Sequence, residues 1–312
     1  MSQSRFAPFT PNDFTYKTVS QTPLQATVLV PKRIIEGGKS AKKCPVLVHF
    51  HGGALVVGDR MFEDWFAIWL LRFAEEQGAI IVTPDYRLMP EANGSEILDD
   101  VEDFWKWVHG GLAGCVKGLD LGVEVDLGRI AVCGESAGGY LSILSAMLFP
   151  FAKMRVVICQ YGAVDYAHSV SVKHLERKAP MEEKTVDEYI ASLKPGAVRV
   201  SDPFPGSAPL MMGVLREGKK LELLGKDERL FITKVLEKAG SVQVPPIWFV
   251  HGREDDMVLL ENTVDFHKRL RELYPDTPAL LSIKDGGHGF DVDMTGEEEW
   301  IREGCEFVRK FW

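Results

Sequence analysis

The chain opens with two short segments in which apolar and polar residues alternate, Phe14–Ser20 and Leu24–Val30. That period of two belongs to strands with one buried face, so an opening hairpin is expected. A polar Gly/Lys stretch, Ile35–Lys43, reads as a loop. Then the pattern changes. VLVHF (Val46–Phe50), AIIVTP (Ala79–Pro84), IAVCG (Ile130–Gly134), VVICQ (Val156–Gln160), IWFVHG (Ile247–Gly252) and ALLSI (Ala279–Ile283) are apolar without alternation. Parallel strands covered on both faces have that character. Amphipathic stretches of helical spacing lie between them: Phe62–Gln77, stopped by Gly78, then Ile97–Val108, Gly138–Leu148, Val258–Leu273 and Gly296–Phe311. The last is preceded by Thr295-x-x-Glu298, the form of a capping box. The repeated alternation predicts an α/β fold, a mostly parallel central sheet flanked by helices on both sides.

One region breaks the rhythm. Residues 167–240 contain no buried strand, only charged helical pieces (KHLERK, EEKTVDEYIASL, DERLFITKVLEKAG) and the Pro/Gly-rich SDPFPGSAPLMMG. With too few apolar positions to close a core, this segment is expected to be a helical cap inserted into a core formed by 1–166 and 241–312. It would cover the C-terminal edge of the sheet.

Composition narrows the function classes. The 312 residues are 46% hydrophobic and 26% charged, which suits a globular chain with a substantial core. The net charge of −9 disfavours a nucleic-acid or anionic membrane partner. Five widely spaced cysteines without a C-x-x-C pair signal neither a disulfide framework nor a zinc site. The most apolar stretch, Trp65–Ala74, is too short for a membrane span, and the N-terminal residues lack a signal-peptide core. A cytoplasmic location is the expectation. No pattern of the chain sets an oligomeric state. Asn93-Gly94-Ser95 reads as a turn.

The candidate chemistry sits at strand ends. Gly134-Glu135-Ser136-Ala137-Gly138-Gly139 follows one buried strand and precedes a helix. That is the setting in which G-x-S-x-G forms a nucleophile elbow, although a Gly-rich turn uses the same residues. His51-Gly52-Gly53-Ala54 follows another strand; small residues there let backbone N–H groups approach an oxyanion, and a plain strand-end turn is the alternative. His288 lies on the Gly-flanked loop Asp285–Phe290, and Asp255 and Asp256 follow the strand IWFVHG. The order Ser136, Asp255, His288 is that of nucleophile, acid and histidine in α/β-hydrolases. Of the other histidines, His49 is expected to pack within its strand, His251 to shape the acid loop, and His109, His168, His174 and His267 to be solvated. No metal or nucleotide motif is present, so no metal and no cofactor are expected.

These residues resemble the hormone-sensitive-lipase-like branch of the α/β-hydrolases, a group of carboxylesterases. The likeness rests on His51-Gly52-Gly53-Ala54 with Gly58-Asp59, Asp85-Tyr86-Arg87-Leu88-x-Pro90-Glu91, Gly134 to Gly139, the loop around Asp255, and His288-Gly289-Phe290. It runs from about Cys44 to the C-terminus and implies the α/β-hydrolase fold. It also implies oxyanion-hole N–H groups on Gly53, Ala54 and Ala137, and a structural brace in Asp85-Tyr86-Arg87. Two departures stand out. The family usually has a third glycine where Ala54 stands, and only fifty residues precede His51, which implies a smaller or differently built cap.

The function expected is hydrolysis of a small-molecule carboxylic ester through an acyl-enzyme on Ser136, with His288 as base and Asp255 orienting it. Thioesters, lactones, amides or acyl transfer would use the same groups, and a non-catalytic binding protein on this scaffold is the reading from another class. Trp65, Phe66, Met211 and Met212, with Phe204 and Leu210 beside them, are candidates to line an apolar pocket. The pattern His251-Gly252-x-x-Asp255-x-x-Val258 resembles the acid loop common in α/β-hydrolases, and that resemblance implies Asp255 as the acid and leaves Asp256 to cap the next helix.

Overall fold

The six apolar runs become the parallel strands of one sheet, and the opening hairpin extends it on one side. The computed structural model describes residues 4–36, 42–165, 185–238 and 243–312. Its strands are β1 (Phe9–Val19), β2 (Thr22–Pro31), β3 (Lys42–Phe50), β4 (Ile80–Pro84), β5 (Val123–Glu135), β6 (Met154–Gln160), β7 (Ile247–Gly252) and β8 (Ala279–Lys284). They lie in the order β1-β2-β4-β3-β5-β6-β7-β8. β1 pairs antiparallel with β2 and β2 with β4; from β4 to β8 every pairing is parallel.

The absence of alternation in the central strands has a direct structural cause. Val46, Val48, Phe50, Ile130, Val132, Val157 and Phe249 enter one hydrophobic cluster, while their neighbours Leu47, Ala131, Cys133, Ile158 and Trp248 enter the cluster on the opposite face. Each face has its own helices. α1 (Lys32–Glu36) is a short turn, and α2 (Ile68–Gln77) covers one face together with the C-terminal helix. α3 (Gly94–Gly110), α4 (Leu112–Gly118) and α5 (Ala137–Leu148) bury apolar residues in the other. The strand β8 departs from expectation: only Ser282 in it is buried, because among the described residues it is an edge strand paired with β7 alone.

Between β6 and β7 the described residues form α6 (Val186–Ser192), α7 (Ala208–Arg216), α8 (Lys220–Leu224) and α9 (Ile232–Glu237), and no strand. The ends of the expected insertion, at 167 and 240, and the KHLERK piece with His168 and His174 lie outside the described residues. The chain finishes with α10 (Leu260–Leu273), β8 and α11 (Glu299–Phe311).

Two helix starts differ from the sequence reading. Asn93, expected in a turn, is the N-cap of α3. Its side chain accepts from Glu96 N at 3.0 Å while the Glu96 carboxylate accepts from Asn93 N at 2.9 Å, so the helix starts three residues early. The expected box at Thr295 does not form: α11 begins at Glu299, and Glu298 turns back to accept from Gly296 N. All five cysteines are free, and four of them are buried.

Candidate active site

The loops that follow β3, β5, β7 and β8 all leave the C-terminal edge of the sheet, where open parallel sheets gather their ligands. Ser136 stands between β5 and α5 with φ 56° and ψ −118°, a conformation that a side chain adopts only under constraint. The constraint is visible in its backbone bonds: Ser136 N donates to Gln160 O on the neighbouring strand at 2.9 Å, and its carbonyl accepts from Tyr140 N and Ala163 N. Gly138 is required by the tight approach of β3, since a Cβ there would lie 1.9 Å from the carbonyl oxygen of Phe50. The helix start also points its N-terminal N–H groups, Ala137 among them, toward the serine end of the turn.

The acid and histidine loops are laced together by backbone pairing. Arg253 N donates to Lys284 O at 2.7 Å and Glu254 N to Gly286 O at 3.0 Å, carrying the β7–β8 pairing past the strand ends. At the tip, His288 Nδ1 and Asp255 Oδ2 are 2.9 Å apart. The Asp255 side chain is fully buried and that of His288 partly exposed. Burial alone would push the Asp255 carboxyl up. Hydrogen bonds from His251 and His288, with the backbone N–H of Val258, outweigh it and hold the carboxyl well below its ordinary range. His251 is itself buried, bonded to Thr263 Oγ1 at 2.9 Å and Val258 O at 3.0 Å, so it shapes the acid loop. Asp256 does not cap the next helix. The N-cap of α10 is Leu259, without a side-chain bond, and Asp255 itself takes the N–H groups of Met257 and Val258.

In the loop after β3, three successive peptide groups are pinned. The His51 carbonyl accepts from Tyr86 Oη at 2.7 Å, and the N–H of the same peptide, on Gly52, donates to Glu135 Oε1 at 2.6 Å. The Gly52 carbonyl meets His51 Nδ1 at 2.8 Å, and the Gly53 carbonyl accepts from Val56 N and Val57 N. In a trans peptide the N–H points opposite to the C=O. The N–H groups of Gly53 and Ala54 therefore point away from those partners, and both residues border a cavity with Ser136. Gly53 has φ 97° and Ala54 φ 55°, so the alanine that replaces the usual glycine occupies the left-handed region. His51 is stacked on Tyr86 with ring centroids 4.3 Å apart, and burial lowers its pKa to about 4.

The cavity has a volume of about 250 Å³ and is bounded by Gly52–Ala54, Glu135, Ser136, His288 and Gly289 with Asp64, Trp65, Tyr161, Met211, Met257 and Val292. Trp65 and Met211 are thus brought to it. Phe66 is not: it is buried on the other side of its turn, its ring 3.8 Å from His49 and 5.1 Å from Phe6. Met212 is half-buried outside the lining, and Leu210 packs on the core. Phe204 packs on Trp65, centroids 5.7 Å apart. Tyr161, Met257, Val292 and Glu135 were not singled out from the sequence. Tyr161 had a signal, its place one residue beyond the end of β6; its ring lies 4.8 Å from His288. His267, expected to be solvated, instead packs against Phe249, and burial lowers its pKa.

Asp85, Tyr86 and Arg87 lie behind this loop. Asp85 pairs with Arg60, yet burial dominates and raises its carboxyl to about 7. Arg87 forms a fork on buried Asp100, at 2.8 and 2.9 Å. None of the three borders the cavity.

A family model described as alpha/beta hydrolase fold matches residues 47–291. Along 99% of the chain and 98% of the relative, it is 35% identical to a "Probable carboxylesterase M8" of Phoma sp.. A "Probable carboxylesterase clz11" of Cochliobolus lunatus is 33% identical over 64% of the chain. Among solved structures, a Pyrobaculum calidifontis esterase superposes with TM-score 0.61 at 22% identity, covering 96% of this chain and 85% of that one.

Proposed function

Because the chain belongs to the alpha/beta hydrolase fold family, we propose that it hydrolyses carboxylic esters through an acyl-enzyme on Ser136. Its similarity to two probable carboxylesterases supports the reaction class. The observation that carries the reading is the meeting, in one cavity, of a strained serine, a histidine held 2.9 Å from a buried carboxylate, and the backbone of Gly52, Gly53 and Ala54.

The chemistry follows from that arrangement. His288, with Nδ1 on Asp255, presents Nε2 to take the proton of Ser136 as its Oγ attacks the ester carbonyl. The developing oxyanion is met by the N–H groups of Gly53, Ala54 and Ala137, in an environment that strengthens each bond. Protonated His288 returns the proton to the leaving alcohol; water, activated by the same imidazole, then releases the acid. Asp255 keeps the imidazole in the tautomer this needs. The segment 185–238 acts as a cap, supplying Met211, and the apolar wall of Trp65, Met211, Met257 and Val292 suits a small or medium acyl or alcohol group.

A fluorophosphonate probe tests this reading. Wild-type protein is expected to be labelled at Ser136 and to hydrolyse 4-nitrophenyl butyrate, and Ser136→Ala to do neither. A folded wild-type protein that takes no label and turns over no ester would support the binding-protein reading instead.

A further inference from the structure

We infer that Glu135 is a positioning residue whose carboxylate sets the oxyanion loop from the opposite strand, an inference that rests on the ester-hydrolase reading. The carboxylate is buried and both oxygens are engaged: Oε1 accepts from Gly52 N at 2.6 Å, and Oε2 lies 2.7 Å from His49 Nε2. His49 is in turn held by its strand and by the Phe66 ring at 3.8 Å. The residue before the nucleophile therefore clamps the loop across the β3–β5 pairing, in which Phe50 faces Gly134.

The clamp acts on direction. With the Gly52 N–H taken by Glu135 and the His51 carbonyl taken by Tyr86, the 51–52 peptide has no freedom to rotate. A flip of that peptide would turn the next two, whose N–H groups the ester-hydrolase reading assigns to the oxyanion. The loop has a reason to need such a clamp: Gly53, Ala54 and Leu55 all have positive φ, and only the first is a glycine. A strained loop relaxes when an anchor is lost. Without an acceptor at Glu135, Gly52 N–H would be buried and unpaired, a state that costs enough to drive rearrangement. Glu135 also borders the cavity, but in this role it is not a reacting group. Its influence passes through the loop.

Glu135→Leu and Glu135→Gln separate this role from general support, with wild-type turnover of 4-nitrophenyl butyrate established first. Leucine removes both acceptors, whereas the glutamine oxygen keeps the reach to Gly52 N. The expected result for Glu135→Leu is a kcat lowered roughly 10–100-fold with KM within about threefold. Its affinity for an aliphatic trifluoromethyl ketone, which forms an oxyanion on the serine, should fall by the same factor. Glu135→Gln should recover most of both losses. If Glu135→Leu fails to fold, the glutamine variant decides: its ketone affinity and kcat must remain close to wild type and change in proportion. Wild-type kcat in Glu135→Leu, or a kcat loss in either variant with unchanged ketone affinity, would overturn the inference while leaving the esterase reading intact. No ester turnover by the wild type would remove both.

Discussion

His288 Nδ1 lies 2.9 Å from Asp255 Oδ2, while the other oxygen of that carboxylate accepts the backbone N–H groups of Met257 and Val258 at 2.8 and 2.9 Å. One side chain thus orients the imidazole and shapes a wall of the cavity. Asparagine has one acceptor oxygen and cannot serve both directions. Asp255→Asn is expected to lower kcat by roughly three to four orders of magnitude. Since Asp255 is the carboxylate placed 2.9 Å from His288, Asp256→Asn should stay within a few-fold of wild type in steady-state assays. The opposite ranking would transfer the acid role to Asp256.

The backbone of Ser136 is held at φ 56°, ψ −118° by bonds to Gln160, Tyr140 and Ala163. Glycine adopts such angles without steric cost, and strain of this kind amounts to about 1–3 kcal/mol. Ser136→Gly and Ser136→Ala should both abolish turnover, and the glycine variant should melt at the higher temperature. Equal or lower Tm for glycine would show that the elbow stores no strain of this sort.

His51 gives a pH signature distinct from catalysis. Burial lowers its pKa from 6.5 to about 4, so below 6.5 the unfolded chain takes a proton that the folded chain does not. The stability that neutral His51 contributes is full above pH 6.5 and is lost progressively as pH falls toward 4. At about 1.4 kcal/mol per pKa unit the loss is on the order of 3 kcal/mol. Denaturant titrations at several pH values should show this decline in wild type and a flatter one in His51→Gln, which keeps a donor for the Gly52 carbonyl. Parallel pH curves for the two proteins would contradict it.

Met211 borders the cavity and its neighbour Met212 does not. Met211→Ala and Met257→Ala should raise kcat/KM for bulky 4-nitrophenyl esters relative to acetate, with Tm changed little. Met212→Ala should leave that ratio unaltered. A ratio that moves with Met212 and not with Met211 would mean that α7 faces the cavity through its other side.

The apolar runs and their spacing contained the sheet. A strand with both faces covered cannot tolerate alternation, which is why β3 to β7 were legible, while the edge strand β8 was overestimated in burial. The elbow and the oxyanion loop were readable for a related reason: close backbone approach excludes side chains, so the glycines mark the place. Helix starts were less legible because a cap depends on which local carboxylate or amide the turn aims at the free N–H groups, as Asn93 and Thr295 show.

What sequence alone determined is therefore the order of strands and turns and the identity of Ser136 and His288 as candidates, since both depend on local pattern. Tertiary structure decided direction. Trp65 and Phe66 are adjacent, yet one borders the cavity and the other packs on His49. Met211 and Met212 divide in the same way on α7, and Asp256, expected to cap the next helix, does not. Glu135, an unremarked position within the elbow motif, joins two strands through Gly52 and His49. Each of these depends on which way one side chain leaves a turn and on what another strand, distant in sequence, brings within 3 Å of it. Residue type and spacing leave that orientation free, and the packed sheet removes the freedom.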